Sequence, residues 1–366
     1  MGNVYDAGKI VFHPEKLASL AKGEVSAPVY VRVKPTNKCN HRCFYCSYDP
    51  AFDYVLSETL DRRDWIPRSK MMEILDDFRY IGVKAVTYSG GGEPLLHPNI
   101  TEIFDRTMNN GIDLSIITNG QLLDGDRAAA LRNSEWVRVS ADSPDVETFA
   151  RTRRVSKDLY FGLVDNLKNF ARDKNPKCEL GINFVIQGGN SDKVYEGARF
   201  FKLLGANHIK FSPLYTPRGF EEYHAQFKKS VIEQIARAKE DLDGDGFSVY
   251  STYENDFDLS GKSERTYEKC FIMETVPVIG ADSTVYFCHD KAYSSSGKLG
   301  SIKERSFRDL WFSDDVKKVF STFNARKGCA HHCANDCRNL AIAEVISHID
   351  KIDQYKPASD RHKNFV

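Results

Sequence analysis

Six times between residues 28 and 215 a short run of β-branched and aromatic residues gives way to an amphipathic stretch, and this alternation constrains the fold more than any other feature. Pro28 to Val33 reads as a strand that stops before Pro35. Lys70 to Tyr80 then carries Met71, Ile74, Leu75 and Phe78 at helical spacing, and Gly82 ends it. Further strands are predicted at Ala85–Tyr88, Asp113–Thr118, Trp136–Ser140, Leu180–Ile186 and His208–Phe211. Helices are predicted between them, near Ile100–Asn109, Arg127–Arg132, Leu159–Arg172 and Val194–Leu204. Strands joined by helical crossovers pair in parallel, and helices cover both faces. An open sheet and a partial barrel both satisfy the pattern. In either, a ligand site belongs at the carboxyl ends of the strands. Cys39–Cys46, Gly90–Glu93, Thr118–Gly120 and Ser140–Asp142 each follow a predicted strand, so four separate segments converge on one rim.

A helix over Glu221–Asp241 closes this unit, and after about Tyr250 the alternation stops. The carboxy-terminal third is loop-rich and holds several cysteines, the composition of a small metal-stapled module with little core of its own. The expected layout is an amino-terminal extension over 1–27, an α/β unit over 28–250, a cysteine-bearing domain over 251–350 and a loosely attached polar tail over 351–366. The 51 basic and 51 acidic side chains cancel. That balance gives no electrostatic footprint for nucleic acid or an anionic membrane, though a local basic pocket is compatible with it. No apolar run approaches the roughly 20 residues that span a bilayer. Met1 to Ile10 lacks the pattern of a secretory signal, so a cytoplasmic protein is expected.

In such a compartment thiols stay reduced, and nine cysteines call for another explanation than disulfides. Cys39, Cys43 and Cys46 are tight, Cys178 stands alone, and Cys270, Cys288, Cys329, Cys333 and Cys337 fall late, which suggests two metal centres. A four-iron cluster ordinarily takes four thiolates, so a loop that offers three leaves one iron open. The competing reading is structural zinc, with His41 or a distant residue as fourth ligand. The run Asp241-Leu-Asp-Gly-Asp-Gly246 lacks the later bidentate Glu of a calcium loop and reads as a turn.

Cys39-x3-Cys43-x2-Cys46, with Tyr45 before the last cysteine, resembles the signature of radical S-adenosylmethionine (SAM) enzymes. Ser89-Gly-Gly-Gly-Glu93-Pro94 resembles that family's glycine-glycine-glutamate segment, and Thr118-Asn-Gly120, Val137-Arg-Val-Ser140-Ala-Asp142 and Phe184-Val185-Ile186 come in the family's order. The resemblance covers residues 28 to 215. It implies a partial (β/α)6 TIM-like barrel followed by a small α+β iron–sulfur domain. It also implies a 4Fe-4S cluster that reductively cleaves SAM to a 5'-deoxyadenosyl radical, which removes a hydrogen atom from the substrate; the cofactor carries the hard chemistry and the protein positions it. Carried over residue by residue, Cys39, Cys43 and Cys46 hold the cluster, and Gly91, Gly92 and Glu93 meet the methionyl ammonium. Thr118 and Asn119 join the cofactor site. Ser140 and Asp142 lie near the ribose or methionyl group, Asp142 being open also to a helix-cap role. Arg153 meets the carboxylate, with Arg151 and Arg154 as flanking alternatives. Tyr45 and Val185 line the adenine.

The late cysteines, with Leu299-Gly-Ser-Ile302 and Phe307 to Trp311 between them, resemble the carboxy-terminal SPASM or shorter twitch extensions of the family. Five cysteines imply one auxiliary 4Fe-4S cluster held by four of Cys270, Cys288, Cys329, Cys333 and Cys337. Even spacing of the last three, and Gly280 lying far from Cys288, depart from the usual pattern and keep a zinc site with His331 or His332 open. Cys178 is a candidate to return a hydrogen atom to the substrate, against the plainer reading of a small buried hydrophobe. Asp290 is a candidate base, against a solvated loop carboxylate.

The leading expectation is hydrogen abstraction from a small polar molecule such as a sugar or aminocyclitol, giving oxidation or epimerisation. Twitch-type relatives such as the dehydrogenase acting on 2-deoxy-scyllo-inosamine suggest it, and the stretch from Lys9 to Leu20 resembles radical enzymes of carbohydrate assembly. An external electron donor of flavodoxin or ferredoxin type is the expected partner. Peptide maturation is the alternative; about 28 residues before the first strand are too few for a fused leader-binding domain. A non-catalytic zinc or iron–sulfur protein is the alternative of another class.

Overall fold

A computed structural model describes residues 4–49, 57–216, 219–254, 265–329, 333, 335–350, 355, 357 and 359–366. Seven parallel strands succeed one another in chain order: β1 (Tyr30–Val33), β2 (Ala85–Tyr88), β3 (Asp113–Thr118), β4 (Trp136–Ser140), β5 (Glu179–Ile186), β6 (His208–Pro213) and β7 (Ser248–Ser251). They form a partial barrel, open on the side where β7 and β1 do not pair among the described residues. The seventh strand lies beyond the six that the alternation predicts. Its apolar run is only Val249 and Tyr250 between two serines, and pairing of Ser248 with His208 makes it a strand.

The carboxy-terminal region does not stand apart from this sheet. β8 (Val278–Ile279) runs parallel to β1, and β9 (Thr284–Tyr286) and β10 (Lys298–Ser301) continue antiparallel from it. The barrel and the cysteine-bearing region therefore share ten strands of one sheet, and the boundary at 250/251 cuts through β7.

Period-two alternation sorts the side chains of each strand. Val31, Val33, Val86, Leu114, Ile116, Val137, Val139, Leu180, Ile182, Phe184, Ile209 and Phe211 all face the helices and are buried. The helix Arg68–Ile81 meets them with Met71, Ile74, Leu75 and Phe78 at the expected spacing, and Gly82 ends it at φ 89°. The opposite face of the strands turns into the barrel and is polar: Tyr30 donates to Thr87 at 2.8 Å, and Thr87 and Ser115 share a hydrogen bond of 2.6 Å. Arg32, Arg138 and Lys210 belong to this inward set, in register with Tyr30, Trp136 and His208 two residues earlier on their strands.

The amino-terminal end of the barrel is closed by both ends of the chain. A 3-10 turn (Ala7–Phe12), a helix (Pro14–Lys22) and a late helix (Asp336–Ser347) bury Ile10, Leu17, Leu20, Ile342 and Val345 together with Phe365 and Val366. The polar tail is therefore anchored at its end rather than loosely attached. Phe365 packs 5.4 Å from Tyr30 and 5.3 Å from Trp136, Asn364 donates to Asp113 at 2.6 Å, and Arg361 pairs with Glu179. No helix among the described residues is long and apolar enough to cross a membrane.

Candidate active site

A cavity of about 260 Å³ opens at the carboxyl ends of the strands. Its walls are the loop after β1 with Cys39, Cys43 and Cys46, the turn Gly90–Glu93 after β2, and the ends of β3, β4 and β5 with Thr118, Asn119, Ser140 and Val185. Arg153 closes it, and Asn183, which sequence reasoning does not single out, joins from the inward face of β5.

The glycines act on the cysteine loop. A Cβ on Gly91 would lie 2.1 Å from Asn37 Oδ1, and one on Gly92 would lie 2.0 Å from the Lys38 carbonyl. The turn is pressed against that loop and hydrogen-bonded to it, Gly92 N to Thr36 O at 3.1 Å and Glu93 N to Lys38 O at 2.7 Å. Only residues without a side chain allow this approach.

Glu93 is buried and held on both oxygens. Thr118 Oγ1 donates to it at 2.6 Å, Asn119 N at 2.7 Å and Leu95 N at 3.1 Å. Burial pushes its pKa up, and these donors pull the other way. Thr118 and Asn119 thus position a carboxylate as well as lining the cavity. Asn119 Nδ2 also donates to Asn40 at 2.7 Å, which ties the cysteine loop to β3.

Asp142 does not line the cavity. Its carboxylate accepts from Val185 N at 3.0 Å and from the Tyr45 hydroxyl, and it sits 2.5 Å from Arg153 Nη2. Asn190, unremarked in the sequence, clamps the same region by donating to Asp142 O at 2.8 Å and Val185 O at 2.9 Å. Asp142 is a positioning residue for Tyr45, Arg153 and Val185. Arg153 in turn places Nη1 3.4 Å from Cys43 Sγ, and its buried Nε has no hydrogen-bond partner among the described residues. The arginine is thus fixed on one side and open on another. Of its flanking alternatives, Arg151 turns away to Gly189 O at 2.8 Å.

Lys34 and Tyr48 are further participants missed in the sequence. Lys34, fully buried, donates to Tyr48 Oη at 2.7 Å and Gly90 O at 2.9 Å, and burial lowers its pKa to about 7. Tyr293 from the carboxy-terminal region donates to Asn37 at 2.6 Å, joining that region to the cysteine loop.

Among the late cysteines, Cys270, Cys288, Cys329 and Cys333 lie within electrostatic reach of one another. Burial raises the pKa of Cys270, Cys288, Cys329 and Cys333, and their mutual charges push in the same direction: Cys329 acts on Cys270, and Cys270 and Cys333 act on Cys288. Cys337, on the helix Asp336–Ser347, lines a second cavity together with Cys333. His331 and His332 lie outside the described residues. Asp290 is near enough to Arg32 and Lys34 to stabilise their charged forms, so it faces cations.

Cys178 is not brought to the site. It directly precedes β5, at the closed end of the barrel, wholly buried with Sγ 3.5 Å from Ser134 Oγ. Its surroundings are those of a small core residue, and a role in returning hydrogen does not fit them.

The second cavity, about 390 Å³, fills the barrel lumen beneath the first, and Ile117 lines both. Strands β1, β4 and β6 supply Arg32, Arg138 and Lys210 to its wall. The lumen thus meets the first cavity at Ile117 and reaches Cys333 and Cys337.

The architecture is a partial parallel barrel with three thiols on its first loop, and with late thiols within electrostatic reach of one another. The sequence pattern of the radical SAM superfamily matches residues 33–201, and that of the SPASM iron–sulfur cluster-binding domain matches residues 270–338. The chain belongs to the radical SAM superfamily and carries a carboxy-terminal SPASM domain; its cofactors are SAM, a catalytic 4Fe-4S cluster and an auxiliary 4Fe-4S cluster.

The chain is 30% identical over 185 residues to GTP 3',8-cyclase of Aquifex aeolicus, a match that spans 50% of this chain and 56% of that one. It is 28% identical over 225 residues to the S-adenosylmethionine-dependent nucleotide dehydratase of Selenomonas ruminantium, across 56% of this chain and 78% of that one. The match thus spans little more than half the length of the cyclase. In fold it is similar to SuiB of Streptococcus suis bound to S-adenosylmethionine, at 17% identity and a TM-score of 0.63 over 84% of this chain and 71% of that one. It is likewise similar to anSMEcpe with bound AdoMet, at 17% identity and a TM-score of 0.57 over 90% of this chain and all of the other.

The residues present suit these groups. Three thiols face a cavity whose glycine wall admits no side chain. A buried carboxylate, Glu93, and a guanidinium with an unpartnered Nε, Arg153, supply opposite charges for the ammonium and carboxylate of a methionyl group.

Proposed function

We propose that this chain removes a hydrogen atom from a small polar molecule bound in the barrel lumen, leading to oxidation or epimerisation. The observation that carries the proposal is the lumen itself. It is lined by Arg32, Arg138, Lys210 and Arg338, is closed at its amino-terminal end by segments from both ends of the chain, and extends from Ile117, below the first cavity, to Cys333 and Cys337. When bound, SAM and the reduced cluster supply the oxidant that breaks an unactivated carbon–hydrogen bond.

The chain's own residues do the remainder. Cys39, Cys43 and Cys46 hold the catalytic cluster. Glu93, set by Thr118 and Asn119, binds the ammonium, and Arg153, set by Asp142, binds the carboxylate. Ser140, Tyr45, Val185 and Asn183 flank the nucleoside. Gly91 and Gly92 hold the cysteine loop in place. Cys270, Cys288, Cys329 and Cys333, whose fields overlap, hold the auxiliary cluster, which leaves Cys337 in the lumen. Asp290 stays next to Arg32 and Lys34 at the lumen's upper edge. A cytoplasmic setting, with a flavodoxin- or ferredoxin-type donor, completes the reading.

SuiB bound to a precursor peptide gives a peptide reading its support, since the folds are similar. A lumen shut at its lower end suits a small molecule better, and the cyclase and dehydratase relatives are named for nucleotide substrates. The test is anaerobic reconstitution with iron and sulfide, then addition of dithionite and SAM. 5'-Deoxyadenosine should form, and the triple Cys39→Ala, Cys43→Ala, Cys46→Ala variant should form none. Intact SAM in the wild-type reaction would sink the reading.

A further inference from the structure

We infer that the lower part of the lumen is an anion site that seats a phosphoryl group of the substrate, so that a phosphorylated small molecule, rather than a neutral sugar or a cationic aminocyclitol, is turned over. This rests on the lumen being the substrate chamber. Three cations reach the cavity from three walls: Arg138 from β4, Lys210 from β6 and Arg338 from the helix Asp336–Ser347. Aromatic rings hold them in place. The Arg138 guanidinium lies 4.8 Å from the centre of Trp136 and 4.9 Å from that of Tyr5, and Lys210 Nζ lies 4.8 Å from the same Tyr5 ring.

Among the described residues that line the cavity Asp336 is the one carboxylate, against Lys9, Arg32, Arg138, Lys210 and Arg338. Glu179 pairs with Arg361 and lies 3.0 Å from His362 Nε2. Asp336 lies 3.0 Å from Arg265 and accepts from Tyr267 at 2.9 Å. Arg138 Nε is buried with no hydrogen-bond partner among the described residues. Burial together with Arg32 and Arg138 lowers the Arg338 pKa to about 10, the direction expected of like charges crowded out of water. Cations drawn together and partly withdrawn from water are stabilised when an anion is added to them. Cations from three directions suit the spread charge of a phosphate or diphosphate better than one planar carboxylate. A phosphoryl group held there points the rest of its molecule past Ile117 toward Ser140 and the cysteine loop, where hydrogen abstraction takes place.

The probes are inorganic pyrophosphate, uridine diphosphate and glucose, titrated calorimetrically into full-length holoenzyme loaded with SAM. Pyrophosphate and uridine diphosphate should bind and compete with each other, and glucose should not. Losing one charged donor should weaken both by about tenfold or more in Arg138→Gln and in Lys210→Gln. Arg338→Gln, on the helix that closes the lumen, provides a further variant if the first two fail to fold, and cluster absorbance with SAM affinity reports folding in each. Tighter uridine diphosphate than pyrophosphate assigns a nucleotide; equal affinity assigns a simple phosphate ester. The inference is overturned if SAM-competent holoenzyme binds neither anion, or if all three folded variants bind them as the wild type does. Failure to cleave SAM with anion binding intact would instead remove the radical reading and leave the anion site.

Discussion

The rim and the lumen of this barrel are built from the same strands but balance charge in opposite ways. At the rim the charges have counterparts or donors: Arg153 has Asp142, and Glu93 has Thr118, Asn119 and Leu95. Both Arg153, whose Nε has no hydrogen-bond partner among the described residues, and Glu93 line the same cavity. In the lumen Arg138, Lys210 and Arg338 share a cavity in which Asp336 is the one carboxylate among the described lining residues. A balanced rim suits a zwitterion such as a methionyl group; an unbalanced lumen suits an anion.

The largest effect should come from unbalancing the rim. Arg153→Ala strands the Asp142 charge in the interior, and breaking a buried pair from one side costs roughly 3–5 kcal/mol. Thermal unfolding should show a large loss of stability, and SAM binding should disappear. Adding Asp142→Asn to Arg153→Ala should recover stability but not SAM binding. Recovery of both would mean that Arg153 acts only as Asp142's partner.

Next in size is the contact between the glycine turn and the cysteine loop. Gly92→Ala drives a Cβ into the Lys38 carbonyl, which is backbone and cannot swing aside. Gly91→Ala meets the Asn37 side-chain oxygen, which has to release the Tyr293 hydroxyl to move. Iron retained at the catalytic site after reconstitution should therefore fall steeply in Gly92→Ala and less in Gly91→Ala. Equal iron in both and in the wild type would mean that the turn and loop move independently.

The lumen's excess charge should show itself in a pH profile. Lys9, buried in the plug, has its pKa lowered to about 7, first by burial and then by Arg338, Arg138 and Arg361, with Asp6 opposing. In the unfolded chain the lysine holds its proton up to about pH 10.4. Between roughly pH 7 and 10.4 folding therefore releases a proton, so stability should rise with pH across that window and level off below it. Urea unfolding at several pH values should show this rise, and Lys9→Met should flatten part of it. Pyrophosphate in the lumen should flatten it too, by offsetting the charge of Arg138 and Arg338. An unchanged profile with pyrophosphate bound would separate Lys9 from the lumen cations.

What the sequence revealed was whatever is local. The strand–helix alternation, the cysteine loop, the glycine turn and the Thr118–Asn119 pair are contiguous, and each was legible in place. Functions that come from distant contacts were not. Tyr293 and Asn37 are 256 residues apart, Asn190 reaches back 48 residues to Asp142, and Lys34 finds Tyr48 and Gly90 only after folding. Strand β7 offers only Val249 and Tyr250 between two serines, and the tail looked polar because Phe365 and Val366, which anchor it in the core, come at its very end. The lumen cations had a signal that zero net charge concealed. Arg32, Arg138 and Lys210 each interrupt an apolar strand at an inward-facing position, where a charge needs a reason.

The smallest effect should belong to Cys178, and it separates the two ends of the barrel cleanly. Its thiol touches Ser134 and the carbonyl of Leu131 below β5, and neither cavity includes it. Cys178→Ala removes one buried sulfur and should cost about 1 kcal/mol of stability. Turnover, and the uptake of solvent deuterium into product, should be the same as in the wild type. Any thiol that hands hydrogen to a substrate radical has to line the lumen, and among the described residues Cys333 and Cys337 are the thiols there. A lost deuterium signal in a stable Cys178→Ala protein would place the substrate at the closed end of the barrel, against the direction in which every rim residue points.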